Sequence, residues 1–334
     1  MKAIVLKENN ALVLEELEKP EPNIGEILIR IHSVGFNPID YQMRENEFER
    51  RYLKSRVLGR EFSGTIVKLG ASANKYQIGD AVFCSCGSMG SNGAYAEFIA
   101  VPEEIVALKP CGLSFSQSAG LASAGLTALQ CFRRMPPLAD QSIFISGASG
   151  AVGRMLISIL LAHNFHKLTA IAGSLNSVES LKNLGLKANQ IVNYHSENRE
   201  NELLFENKGQ HFDIAVDCVG TEMAELSAAI LKIQGIYMDV TNFHSQDSRN
   251  ALFSKGATVH NISSFSYAEC KQYTYFGEAL DTISSYVNSG AIGPAEVEII
   301  GSLTAQTVEE AHHRLKHNLS FGKKLIMTII DGKN

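Results

Sequence analysis

No apolar stretch in the chain approaches the ~20 residues that a bilayer span requires. The longest, Met155 to Ala162, suits a buried helix. The opening MKAIVLKENN lacks an extended apolar core and a small-residue cleavage site, so it does not read as a secretory leader. Long runs of one charge and low-complexity tracts are also missing, and a net charge of -5 gives no bulk attraction to nucleic acid or anionic membranes. The six cysteines (Cys84, Cys86, Cys111, Cys131, Cys218 and Cys270) do not group as a disulfide framework or a four-cysteine zinc site. Free thiols in a reducing cytoplasm are the expectation. What remains is an ordinary globular composition, and 334 residues are too many for one typical core, so two domains are expected.

Order is clearest in the middle of the chain. Short apolar runs start at Ser142, Lys167, Gln190, Phe212, Gly235 and Thr258, at intervals of 25, 23, 22, 23 and 23 residues. Helix-like stretches fill the gaps: Val152 to His163, SLNSVESLKNLG ending at Gly185, and TEMAELSAAILKIQG ending at Gly235. Strands alternating with helices at this spacing predict right-handed parallel βαβ units, and six of them predict a doubly wound dinucleotide fold.

The ends read differently. From Met1 to about Pro110 the runs AIVL, EILIRIHSV, SGTIVKLG, DAVFCS, AYAEFIAV and IVALKP are broken by glycines, as in an antiparallel barrel-like domain. Near the C-terminus come helices around Tyr275 to Val287 and Val308 to His317, then the strand KKLIMTII. One strand cannot stand alone, so this tail is expected to pack onto the β-rich domain, with the nucleotide domain as an insertion. The predicted architecture is an α/β fold: a six-stranded parallel Rossmann domain over 124–264, inserted into a β-barrel-like domain made of 1–123 and 265–334.

The first central strand runs into GASGAVG, Gly147 to Gly153, and then into a helix. In that context the spacing has a physical meaning. Gly150 lets the backbone approach a pyrophosphate, Gly153 lets the helix pack against the strand, and the free N–H groups at the helix start attract the anion. Ser149, Gly150, Ala151 and Val152 are the candidate phosphate contacts. The second strand ends Ala172-Gly173-Ser174, without the acid that usually holds the ribose hydroxyls of NAD. Its absence points to NADPH, with NADH still possible. No basic residue stands beside it in Leu175-Asn176-Ser177.

With VGFNPIDY at Val34 to Tyr41, GREFSG at Gly59 to Gly64, IGDAVF, GAYAEF, AGLTAL, GASGAVG, DCVG and the closing HRL and GKKL segments, nearly the whole chain resembles the medium-chain dehydrogenase/reductase superfamily. It is most similar to the zinc-independent quinone oxidoreductase branch, which implies a GroES-like β domain. In the superfamily's zinc enzymes the catalytic ligands are a Cys where this chain has Asn37 and a His where it has Arg60; neither replacement suits zinc. No metal is expected. The resemblance implies that Asn37 and Thr127 lie against the nicotinamide, although Asn37 could instead bond its own loop. Tyr194 matches a tyrosine at the adenosine-phosphate end, or is a plain strand-end aromatic. Val219 ends the fourth strand, where the crevice of such folds lies. Tyr41 and Tyr52 are substrate-cleft candidates for proton donation, against the commoner reading as loop tyrosines. In relatives a Lys meets the 2′-phosphate where Ser177 stands nearest here. The charged segment Arg44 to Arg56 reads as a solvated lid helix or as a preference for polar substrates.

The expected activity is NADPH-dependent hydride transfer to a quinone or an α,β-unsaturated carbonyl, by a cytoplasmic homodimer that acts on small molecules. The alternative is a nucleotide-binding redox sensor or interaction protein with little turnover, because no unmistakable acid, base or nucleophile stands out.

Overall fold

The glycine-broken runs of the first hundred residues become antiparallel strands. In the computed structural model, which describes residues 1–136, 140–242 and 245–329, β1 (Lys2–Leu6) and β2 (Leu12–Glu16) form a hairpin. Asn10, at φ 63°, takes the left-handed turn position that Asn tolerates. A larger sheet follows from β3 (Glu26–Gly35), β4 (Glu61–Leu69), β5 (Ala81–Ser85), β6 (Phe98–Pro102) and β7 (Val106–Leu108). Strand β3 is central: it pairs antiparallel with β4 and β6, and Ile27, Ile29 and Ile31 are fully buried. AYAEFIAV is strand only over its second half; Ala96 makes a single bridge to Ala3. Helix α1 (Pro38–Glu45) starts on a proline, whose missing N–H costs nothing there. The expected lid helix is a single turn, α2 (Glu47–Arg50). The helices α3 (Phe115–Ala119) and α4 (Ala122–Arg134) lead to the middle of the chain.

There, β8 (Ile143–Ile145), β9 (Leu168–Ala172), β10 (Ile191–Asn193), β11 (Phe212–Asp217), β12 (Leu231–Asp239) and β13 (Thr258–Asn261) form one parallel sheet. Its order is β10-β9-β8-β11-β12-β13, so the chain reverses direction across the sheet at β8. Between the strands lie α5 (Ala151–Ala162), α6 (Leu175–Asn183), α7 (Arg199–Glu206), α8 (Glu222–Ile230) and α9 (Gln246–Ser254). Phe144, Phe212, Tyr237, Leu203, Met223 and Leu231 pack into one buried cluster of sheet and helix side chains. One boundary departs from expectation: TEMAELSAAILKIQG is not helical to Gly235. Helix α8 stops at Ile230 and β12 begins at Leu231. The Lys255 ammonium takes the carbonyls of Ala229 and Leu231, which ends the helix, and Gln234 at φ 58° bends the strand before regular pairing resumes at Ile236.

The chain then gives α10 (Phe265–Glu269), α11 (Thr274–Asn288), β14 (Val297–Ser302), α12 (Ala305–Lys316) and β15 (Lys324–Thr328). Strand β15 lies between β14 and β3, pairing Ile326 with Gly35, so the C-terminal segment joins the sheet built by the N-terminal one. Ile330, the last residue of KKLIMTII, lies outside the described residues. Two compact units result: Met1–Leu126 with the chain from Phe265 onward, and Thr127–Ser264. Among the described residues no helix is long and apolar enough to cross a membrane.

Candidate functional site

In the parallel-sheet unit, Gly147 leaves β8 at φ 60°, in the left-handed region that favours glycine. A Cβ on Gly153 would meet the Gly147 carbonyl oxygen at 2.5 Å and the Ala148 Cα at 2.6 Å, so only glycine lets α5 start this close to the strand. Gly150 is the N-cap of α5 and supplies no side-chain cap to the free N–H groups behind it. Backbone donors at the start of a helix, reached over a glycine surface, fit a pyrophosphate. Ser149, Ala151 and Val152 all lie half-buried at this turn. Thr127, half-buried, lies on α4.

Val219 is brought to the same loop: its Cγ2 lies 2.9 Å from where a Gly147 Cβ would be. The cause is Asp217, a buried carboxylate at the end of β11. Its Oδ1 accepts from Ser146 Oγ at 2.5 Å and from the Val219 and Gly220 N–H groups at 3.0 Å; its Oδ2 accepts from Tyr237 at 2.7 Å. One carboxylate therefore fixes the ends of β8 and β11 and the backbone of Val219. In the sequence Asp217 stands only as the first residue of DCVG with no role attached to it, and neither Ser146 nor Tyr237 stands out.

Tyr194 comes beside Gly173, the residue before Ser174: its Cβ lies 3.6 Å from where a Gly173 Cβ would be. The Ser174 hydroxyl is engaged: it caps α6, accepting from the Ser177 N–H at 3.1 Å and donating to Ser177 Oγ at 2.9 Å. A phosphate contact from this hydroxyl would have to compete with the cap. Arg199, one strand away, donates to the Tyr194 carbonyl at 3.3 Å and forms an ion pair with Glu222. It is a cation that inspection of the residues following Ser174 did not find.

In the β-rich unit, Asn37 opens α1 and its backbone N–H donates to Asp40 Oδ2 at 2.9 Å. Its side chain takes part in the capping box of α1 and also reaches beyond its own loop. Nδ2 donates to Glu61 Oε1 at 3.0 Å, and Oδ1 accepts from Lys324 Nζ at 2.7 Å. Glu61 and Lys324 are themselves a buried ion pair, and the second Glu61 oxygen accepts from the Ser123 N–H at 2.7 Å. The amide is held at both ends. Neither Glu61 nor Lys324 was anticipated, because their link to Asn37 is not local in sequence.

Asp40 is one of the two buried residues of α1. Burial pushes its carboxyl up to about 6; the Asn37 N–H, the Arg60 guanidinium and the Tyr95 hydroxyl oppose the rise, and Glu61 adds to it. Tyr95 in turn lies 3.3 Å from Nε2 of His312, whose imidazole burial holds down to about 3, with the Arg44 charge adding to the effect. Tyr41 lies half-buried on α1. Tyr52 follows α2, where its hydroxyl accepts from Arg51 and its ring meets Phe265 edge-on at 4.4 Å. Tyr52 and Arg60 line the same small cavity of about 20 Å³, roughly the room of one water.

The metal question can be put to these side chains. Arg60 has no lone pair to offer, and the Asn37 amide oxygen already accepts from Lys324. Cys84 and Cys86 are buried thiols bonded to the carbonyls of Ile105 and Gly59. Burial pushes Cys86 up to about 12 and Cys84 well above its ordinary value, so neither is a ready thiolate. Among the described residues no group of three His, Cys, Asp or Glu could hold a metal ion. A catalytic zinc does not fit the donors at Asn37 and Arg60.

Residues 23–111 match the family described as alcohol dehydrogenase GroES-like domain, and residues 151–285 match that described as zinc-binding dehydrogenase. A zinc-type alcohol dehydrogenase-like protein of Staphylococcus epidermidis is 27% identical, over 96% of each chain. The chloroplastic NADPH-dependent alkenal/one oxidoreductase of Arabidopsis thaliana is 25% identical, over 98% of this chain and 80% of that one. The quinone oxidoreductase of Escherichia coli, solved in complex with NADPH, shares the fold at a TM-score of 0.83 and 22% identity, with 98% of each chain covered. With its β-rich part and its parallel-sheet part both matched, the chain belongs to the medium-chain dehydrogenase/reductase superfamily of oxidoreductases.

Proposed function

We propose that the chain is an NADPH-dependent, zinc-independent reductase of quinones or α,β-unsaturated carbonyls. The observation that carries this reading is the uncapped start of α5 behind a glycine surface, a ready site for a dinucleotide pyrophosphate. The names of the Arabidopsis and Escherichia coli proteins support the substrate class. NADPH bound there would supply the hydride, which with one proton from solvent would turn the enone into the saturated carbonyl, or the quinone into the hydroquinone.

The chain's own residues bind and orient. The N–H groups of Ala151, Val152 and Gly153 would hold the pyrophosphate, with Ser149 and Gly150 shaping the turn. Asp217 fixes the backbone of Val219 beside them. Without a metal, polarisation of the carbonyl falls to hydrogen-bond donors. Asn37, Thr127, Tyr41 and Tyr52 are the proposed cleft residues. Asn37 retains one amide hydrogen beyond the one given to Glu61, and the Lys324–Glu61 pair sets its direction.

Purified protein assayed with quinones and enals, with NADPH and with NADH, tests the reading, together with metal analysis. Turnover with NADPH in protein holding no zinc is expected. Tight NADPH binding with no turnover on any acceptor would leave the sensor alternative, and about one zinc per chain would overturn the metal-free reading. Ser174→Asp tests the cofactor arm. Asp caps helices as well as Ser, so α6 stays intact while a carboxylate meets the ribose. The variant should favour NADH; an unchanged preference would remove Ser174 from the discrimination.

A further inference from the structure

Three side chains beyond the end of β10 are arranged like an anion site that already contains an anion. The Arg199 guanidinium stands 5.5 Å from the centre of the Tyr194 ring and is fixed by its bond to the Tyr194 carbonyl. Both the guanidinium and the Tyr194 hydroxyl, the latter at 3.4 Å, point at one carboxylate, that of Glu222. Arg199 is largely covered, with a quarter of its side chain exposed, whereas Glu222 is about half exposed. The cation is therefore held and the carboxylate can swing out. Glu222 is delivered by Thr221, which sits at φ 50° and ψ -121°, a conformation that a β-branched residue adopts only when its surroundings force it. Tyr194 and His195 stand against Gly173, next to Ser174, and His195 Nε2 bonds to the Gly173 carbonyl at 2.9 Å. The cluster thus borders the place where this fold receives the ribose of the nucleotide.

We propose that Arg199, beside Tyr194, supplies the cation that receives a 2′-phosphate in this chain, and that Glu222 occupies it as an internal competitor until the phosphate displaces it. The inference rests on the NADPH reading and gives it a cation that Ser177 does not supply. A phosphate monoester carries nearly two charges and three acceptor oxygens to a guanidinium fork, against one charge on a solvent-exposed stem. Displacement therefore favours the phosphate, but a carboxylate left nearby still opposes it. Removing that carboxylate tightens the site, and removing the guanidinium destroys it.

Calorimetric titration of the full chain with 2′,5′-ADP and with 5′-AMP separates the phosphate from the rest of the nucleotide. Arg199→Gln should weaken 2′,5′-ADP by about tenfold or more, the loss of a charge-assisted pair, and leave 5′-AMP within about twofold. Glu222→Gln should tighten 2′,5′-ADP by roughly three- to tenfold and leave 5′-AMP alone. If Arg199→Gln leaves 2′,5′-ADP unchanged, the subsite is overturned. If Arg199→Gln loses both probes, the fold has been damaged and Glu222→Gln decides: tighter 2′,5′-ADP supports the competitor, unchanged or weaker binding overturns it. The starting protein is a separate arm. Equal affinity for the two probes there would sink the NADPH reading, yet a preference appearing in Glu222→Gln would still sustain the subsite.

Discussion

Buried in one unit, Asp40 and His312 titrate in opposite senses. The Asp40 carboxyl rises from 3.8 to about 6 because burial disfavours its charge. Its contribution to stability is fully present below 3.8 and is lost as pH rises through 6, about 3 kcal/mol in all. His312 falls from 6.5 to about 3, so its contribution is present above 6.5 and is lost as pH falls through 3. Between 3.8 and 6 the two slopes oppose each other. Asp40→Asn keeps an oxygen for the Asn37 N–H and removes the charge. Urea denaturation of this variant should show a gain of about 1–3 kcal/mol at pH 7.5 and a steeper loss toward pH 4.5, where His312 now acts unopposed. Equal destabilisation at both pH values would mean that the fold uses the ionised Asp40. At this scale the sequence was only partly legible. Asn37 stood out by motif, but what holds it is Glu61, 24 positions on, and Lys324, 287 positions on. No local pattern encodes such a meeting.

Among the elements, the parallel strands and their helices were legible because spacing and apolar runs are local properties. The exceptions show where locality fails. LKIQ suits a helix as readily as a strand, and the choice is made by Lys255, which caps α8 from a distant position. Strand β2 went unread because only its first residue, Leu12, is buried, so its side chains carry little hydrophobic pattern. The glycine loop is the firmest case, since its spacing reports a steric requirement that the packing of α5 on β8 confirms. Gly153→Ala would place a methyl group 2.5 Å from the Gly147 carbonyl oxygen, against backbone that cannot move alone. We expect a loss of roughly 1–3 kcal/mol in stability and at least about tenfold in nucleotide affinity. Thermal melts and NADPH titration check both; unaltered affinity would show that α5 can shift without harm to the phosphate site.

Over the whole molecule, the two units differ in how the chain supplies them. Residues 127–264 are continuous and carry all six strands of the parallel sheet, and the cluster around Phe144, Phe212 and Tyr237 lies wholly within them. A fragment of residues 122–264, which keeps α4 intact, should fold alone, melt cooperatively by circular dichroism and bind 2′,5′-ADP. A fragment without a cooperative melt would show that this core depends on the rest of the chain. The other unit draws on two separate segments and has no such fragment.

The Glu61–Lys324 pair carries a consequence for synthesis. Glu61 is completely buried, and a buried carboxylate without its cation is strongly destabilising. Lys324 leaves the ribosome 263 residues after Glu61. At 5–20 residues per second, roughly a quarter of a minute to a minute passes in which the acid has been made and its partner has not. During that interval β3 and β4 can find each other but cannot close around Glu61 without water, while residues 127–264 emerge complete. The parallel-sheet unit thus has every physical means to finish first, and the β-rich unit waits, wet, for a lysine made 263 residues after its acid.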